Sequence, residues 1–183
     1  HPLCVQCARR GIWRKKKNYA LTVLDNEGVR LKEPQLKIMG IQAVKSNTPP
    51  FCRERLKEAL IILLTKDEAT MQEFVAETRK QFMQEPIENI SSACQVSDVA
   101  KYTGNEKSIP VHVTGCLLHN RIVKNRPPIE NGSSIKFIYL EKLNPTQTHV
   151  ISYADFFPLE TKLEKYIDYH TQFEKTFLKP LTS

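Results

Sequence analysis

The sequence predicts an α+β fold: a small antiparallel β-sheet comes first, followed by a mostly helical body with a short β element inserted. Three observations carry that expectation. Residues 17–24 alternate apolar and polar side chains with the period of two that a half-buried strand requires. After Thr48 the apolar period becomes helical, with Leu56, Leu60, Leu63 and Leu64 on one face. Two β-branched and aromatic runs, SSIKFIYLEKL and HVISYADF, then read as strands before a helical pattern returns.

Taken in order, the first strand sets Tyr19, Leu21 and Val23 on one face, and DNEG (Asp25 to Gly28) is a turn with Gly28 at its left-handed position. The return strand is broken by Pro34 and resumes as QLKIMGIQAVK, with Gly40 a candidate bulge. Lys37 and Lys45 have the same parity and share a face if Gly40 leaves the phase intact. Thr48 reads as the N-cap of the first helix and Pro49 as its first residue, where a missing N–H costs nothing. Asp67 reads as the next N-cap, before a helix striped by Met71, Phe74, Val75, Thr78 and Phe82 and ended by Pro86. A connection this short makes the two an antiparallel hairpin.

ISSACQVSDVAKYTGNEKSIP reads as a loop-rich connector with a short helix near Ser97. In VHVTGCLLHNRIVKN the length and the spacing of Leu117, Leu118 and Ile122 favour a helix. KLEKYIDYHTQFEKTFLK closes the chain as an amphipathic helix through Leu163, Tyr166, Ile167, His170, Phe173 and Phe177.

Composition excludes several classes. With 40% apolar and 26% charged residues, the chain reads as globular rather than disordered. The longest apolar run, ALIILL, falls far short of the roughly 18 residues of a membrane span, and HPLCVQCARRG lacks the apolar core of a secretory signal, so a cytoplasmic protein is expected. The five cysteines, Cys4, Cys7, Cys52, Cys94 and Cys116, are odd in number and irregular in spacing, which suits a reducing compartment. Cys4 and Cys7 form a C-x-x-C with no second pair, so a zinc site would need His1, Cys52 or His112 from far along the chain. Two thiols in a frayed terminus are the simpler reading.

The net charge is +7, and residues 1–48 hold 10 Lys and Arg against 3 Asp and Glu, so the rest of the chain balances to zero. Such a local basic patch attracts polyanions, nucleic acid above all, unless it is merely a solvated tail. In WRKKKNYALTVLDNEG the cations run straight into a strand, so the backbone would fix where Lys16 and Lys17 point. Tyr19, two residues on, shares the Lys17 face once the strand has begun, either as a core aromatic or packed on a sugar or base edge. KSNTP places Lys45 beside Ser46, Asn47 and Thr48 at a helix start, a phosphate cradle compatible with capping by Thr48.

No catalytic constellation is present. The acids of the basic segment, Asp25, Glu27 and Glu33, belong to the turn and the return strand; there is no G-x-S-x-G or glycine-rich phosphate loop; and His170 reads as a packed or rim residue. The sequence assigns no catalytic residue, metal ligand or cofactor to this chain.

KKKNYAL, LKIMGIQAVKSNTP, ISSACQVSDVAKYTG, VHVTGCLLHNRIVK and FEKTFLKPL, in this order and at these spacings, resemble the C-terminal part of family B DNA polymerases of the T-even bacteriophage type. The resemblance covers about Lys16 to Leu181. It implies that residues 16–48 are the last strands of a polymerase palm and residues 49–183 the thumb, with residues 1–15 unassigned. It further implies that Lys16, Lys17 and Tyr19 line the minor-groove side of the primer–template duplex, that Lys45, with Ser46 and Thr48 in its block, approaches the same duplex, and that the loop ending in Ala100, Lys101 and Tyr102 holds the backbone further along. Asn18 and Thr114 stand where the family often has arginine. Magnesium, incoming nucleotide and exonuclease carboxylates would belong to fingers, catalytic palm and exonuclease domains outside this chain, and a sliding clamp would be a further partner of the whole protein. The competing expectations are a stand-alone basic nucleic-acid-binding or interaction module and a small zinc domain built on Cys4 and Cys7.

Overall fold

The computed structural model describes residues 6–15, 18–26, 29–39, 41, 43, 45–102 and 108–182. Its architecture is α+β, as the sequence predicts. A first antiparallel sheet of order β1-β2-β3 comprises β1 (Gln6–Lys15), β2 (Asn18–Asn26) and β3 (Val29–Met39). The helices α1 (Pro50–Thr65) and α2 (Glu68–Phe82) and the single turn α3 (Ile87–Ile90) follow. A second antiparallel sheet of order β4-β5-β6 comprises β4 (Ser92–Gln95), β5 (Ser134–Tyr139) and β6 (Val150–Tyr153), with α4 (Val111–Ile122) packed on it. At the C-terminus α5 (Tyr169–Phe173) continues through a π-helical turn (Glu174–Leu178) into α6 (Lys179–Thr182).

Several expectations are corrected. Residues 6–15 are a strand rather than a frayed terminus, and the exposed Arg10 guanidinium donates to the Leu64 carbonyl at the end of α1 (2.9 Å), a favourable place for a cation. Pro34 does not break β3, because β3 is an edge strand and the irregular pairing between Val23 and Asp25 lies beside the proline. Thr48 does not cap α1: the cap residue is Pro49, without a side-chain bond, and the helix begins at Pro50. Ser92–Gln95 is a strand rather than part of the expected loop, while the short helix expected near Ser97 is found as a 3₁₀ turn over Val99–Lys101. The C-terminal helix starts at Tyr169, where Asp168 accepts from the Thr171 N–H (2.9 Å); before it, Ile167 bridges to Leu140. Leu63 is 47% exposed while Leu56, Leu60 and Leu64 are buried. Asp67 does cap α2, accepting from the Thr70 N–H at 2.9 Å. Gly28, Gly40 and Cys4 lie outside the described residues.

The main core joins both sheets to the helices. Ile12, Ala20 and Ile38 are cross-strand neighbours and therefore share one face of the first sheet, and that face packs with Leu56, Leu60, Phe173 and Phe177. Buried polar groups tie the layers where apolar contact cannot. The Gln172 amide donates to the Ile90 carbonyl (2.6 Å) and accepts from the Tyr139 N–H (3.2 Å), and the Tyr153 hydroxyl donates to Ser91 Oγ (2.6 Å). Cys52 donates to Thr176 Oγ1 (3.3 Å), and burial pushes its thiol up to about 12, so it is a packing group and not a nucleophile.

Helix α4 crosses β6 at Gly115, where a Cβ would lie 2.3 Å from Ser152 Oγ and 2.7 Å from Ser152 N. The helix is held there by His119, whose Nδ1 lies 3.0 Å from the Ser152 carbonyl, and by the Ser152 hydroxyl, which donates to the His112 carbonyl (2.8 Å). A carbonyl can only accept, so His119 carries its proton on Nδ1. Gly115→Ala is expected to destabilise by about 1–3 kcal/mol through overpacking, read as a lower urea midpoint at unchanged slope.

Burial holds the His119 pKa below the ordinary histidine value. A lowered folded-state pKa favours the neutral ring, so this contribution is complete above the unfolded value near 6.5 and fades as the pH falls below it. The melting temperature should therefore fall more steeply below that pH in the natural chain than in His119→Gln. Parallel curves would remove His119 as the cause.

Candidate nucleic-acid interface

The segment that leaves the first sheet closes a four-residue turn, in which the Thr48 N–H donates to the Lys45 carbonyl (3.2 Å) with Ser46 and Asn47 at the corners. Lys45, Ser46 and Asn47 are exposed, whereas Thr48 is buried. The turn is pinned to the second sheet, because the Ala93 N–H of β4 donates to the Asn47 carbonyl (3.2 Å). Lys45 lies six residues beyond the end of β3, so it does not share a strand face with Lys37. The helix behind the turn begins with Pro49 and Pro50, neither of which has an N–H to offer an anion. Any cradle here is built from the turn and its side chains more than from the helix terminus.

Tyr19 pairs across the first sheet with Trp13 and Met39, and Leu21 with Lys37. Strand alternation puts Tyr19, Leu21, Lys37 and Met39 on the face opposite the Ile12, Ala20 and Ile38 row that packs on the helices. Half-buried Tyr19 is thus a side chain of the sheet's other face, outside the main core. Lys16 and Lys17 lie outside the described residues.

Lys101 ends the 3₁₀ turn that follows β4, with its N–H on the Asp98 carbonyl (3.1 Å) and the Tyr102 N–H on that of Val99 (3.2 Å). Asp98 takes a left-handed conformation (φ 59°), and Asn131 holds the turn by accepting from the Val99 N–H (2.6 Å). Lys101 is exposed and Tyr102 half-buried. The second sheet therefore carries two short closed turns, each bearing an exposed lysine, one pinned to β4 and one directly after it.

Sequence reasoning missed three groups beside these turns. Asn131 fixes the Lys101 turn, and only its loop position before Gly132 hinted at that. His112 and Lys175 line a cleft of about 290 Å³ between the Asn47–Pro49 segment and the C-terminal helix. The Lys175 ammonium lies 5.8 Å from the centre of the Tyr139 ring, and burial lowers the His112 pKa. Their helical settings gave no signal of a shared cleft. Cys94 borders the same cleft, and burial raises its pKa, which keeps it a thiol. Among the described residues no group of three or more His, Cys, Asp or Glu is placed to hold a metal ion, and no helix is long and apolar enough to cross a membrane.

No protein-family model matches the chain. It is similar to the DNA-directed DNA polymerase of Enterobacteria phage T4, with 32% identity over 182 residues, and to that of Escherichia phage RB69, with 34% identity over 181 residues. Each match takes in 93% of this chain and 20% of the relative, so the chain spans about one fifth of the length of the curated relatives it matches. The resemblance read from the motif blocks thus extends over nearly all of this sequence, and its extent fits a fragment of such a polymerase.

Asn131→Ala is expected to free the Val99 N–H and loosen the Lys101 turn. Faster amide hydrogen exchange at Val99, with β5 and β6 unchanged, is the expected reading. Equal exchange in both proteins would show that the turn holds itself.

Proposed function

We propose that this chain is the C-terminal part of a DNA-directed DNA polymerase, residues 16–48 ending the palm and residues 49–183 forming the thumb, and that it grips primer–template duplex without reading its sequence. The observation that carries this reading is the similarity to two phage polymerases over 93% of the chain and only 20% of theirs. A fragment explains together why a basic segment exists and why no catalytic constellation accompanies it.

The geometry supports the grip. A replicative polymerase must hold any sequence, which favours phosphates, sugars and the degenerate minor groove over the major groove. Lys45 and Lys101 stand exposed on turns closed by backbone hydrogen bonds, so the backbone that carries them needs little ordering on binding and only the side chains must settle. Tyr19 lies on the sheet face away from the helices, the face that would meet a sugar or base edge. Lys16, Lys17, Ser46, Thr48 and Tyr102 complete the proposed contact set. Catalytic carboxylates with their magnesium ions, the incoming-nucleotide site, the exonuclease and the sliding-clamp contact fall to the remainder of the polymerase and its partners. Alone, the chain binds but does not catalyse.

The test is duplex binding by fluorescence anisotropy as a function of salt. Each phosphate neutralised contributes about 0.9 to the log–log slope, so Lys16→Ala with Lys17→Ala should flatten it by about 1–2. An unchanged slope removes those lysines from the interface. Preference for single strands or structured RNA over duplex DNA would instead support a stand-alone binding module, and robust nucleotide incorporation by the isolated chain would overturn the division of labour proposed here.

A further inference from the structure

Lys136 is a cation that the sequence reading left unused. It lies in the middle of β5, directly opposite Ala93 of β4, and two residues along Ser134 stands opposite Gln95. Alternation therefore sets Ala93, Gln95, Ser134 and Lys136 on one face of the second sheet. The opposite face carries Cys94 and Ile135, which pack with Cys116 of α4. At its open end the first of these faces is the floor of a cleft of about 540 Å³, and Ser46 and Asn47 of the turn after Lys45 form a wall.

Three features of this cleft suit an anion. Its lining sets the polar side chains Ser46, Asn47, Gln95 and Ser134 beside Lys136, with Ala93, Cys94, Ile135 and Ala154 completing it. Lys136 is half-buried and its Nζ donates to the Glu88 carbonyl (3.3 Å), which orients the ammonium and leaves two of its three donors for a ligand. Among the described residues no carboxylate lies within ion-pair distance of Lys136. The acid whose carbonyl it meets, Glu88, turns its carboxylate to the Phe157 N–H instead (3.2 Å).

We propose that this cleft is a phosphodiester subsite, in which Lys136 neutralises one backbone phosphate of a bound duplex while Ser46, Asn47 and Ser134 supply neutral hydrogen bonds. The inference rests on the duplex-binding reading above and extends it to a residue outside the proposed contact set. It places the Lys45 turn and the floor of the second sheet on the same strand of nucleic acid, because one turn contributes both the exposed lysine and the cleft wall.

The test compares the natural chain, Lys136→Met and Lys136→Arg on a random-sequence DNA duplex. Lys136→Met should flatten the log–log salt slope by about 0.9, so that between 50 and 200 mM salt it loses about 3.5-fold less affinity than the natural chain, while Lys136→Arg keeps the slope. Because Lys136→Met also removes the bond to Glu88, thermal melting checks that it folds. If it does not fold, backbone amide resonances of Ser46, Gln95 and Lys136 in the natural chain decide: they should shift as duplex is added. An unchanged slope in folded Lys136→Met, or amides that stay in place while duplex binds, overturns the subsite and leaves the duplex-binding reading standing. A natural chain without salt-dependent duplex binding overturns that reading, and the subsite with it.

Discussion

The arrangement of the second sheet depends on one buried amide. Gln172 reaches from the C-terminal helix to the end of α3 through Ile90 and to the end of β5 through Tyr139, closing a polar triangle among segments far apart in sequence. It is fully buried, so neither backbone group could turn to water if the amide were lost, and each would be left at a cost of about 1–3 kcal/mol. Once β5 is set, β4 pairs with it, and β4 in turn holds the Asn47 carbonyl. The position of the Lys45 turn is thus inherited, through three hydrogen-bonded steps, from a glutamine on the last helical segment.

A second constraint comes from proline chemistry at the start of α1. A helix N-terminus ordinarily presents free N–H groups and a positive dipole end to an anion. Here two consecutive prolines remove two of those donors, and Cys52 one turn in is buried against Thr176. Polar recognition in this neighbourhood passes to side chains on the preceding turn and on the sheet beside it. The conformational rigidity of the prolines has a compensating effect, since a turn that leads into fixed backbone has fewer ways to wander.

What was legible in the sequence was local. The switch from period two to period 3.6, the Asp67 cap and the α4 pattern are written in neighbouring residues, and each is found in the structure. β4 was not legible, because four residues of mixed polarity become a strand only by pairing with Ser134–Phe137 some forty positions later. β1 was hidden for a related reason: its pairing with β2 slips between Cys7 and Ala8 and again before Gly11, so no clean alternation is printed in the sequence. Thr48 looked like a cap from its type, but its turn bond to Lys45 and the fixed backbone of Pro49 put it elsewhere. Of the proposed contacts, Lys45 and Ser46 were singled out by the polar KSNTP run at a helix start and Lys101 by the motif resemblance alone, whereas nothing local in the sequence marks Lys136, because the turn that walls its cleft lies some ninety positions earlier.

The first sheet has only three strands among the described residues, and its two outer members, β1 and β3, run for 10 and 11 residues. Long borders of this kind offer rows of unsatisfied amides and carbonyls to any extended chain that comes near. Pro34 and the charges of β3 blunt one border, and the irregular pairing of β1 roughens the other. Handling in isolation should therefore favour dilute solutions of low ionic strength, in which the net charge of +7 keeps molecules apart, since concentrated stocks invite sideways strand addition between molecules. The same borders are where additional strands could extend the sheet inside a larger assembly.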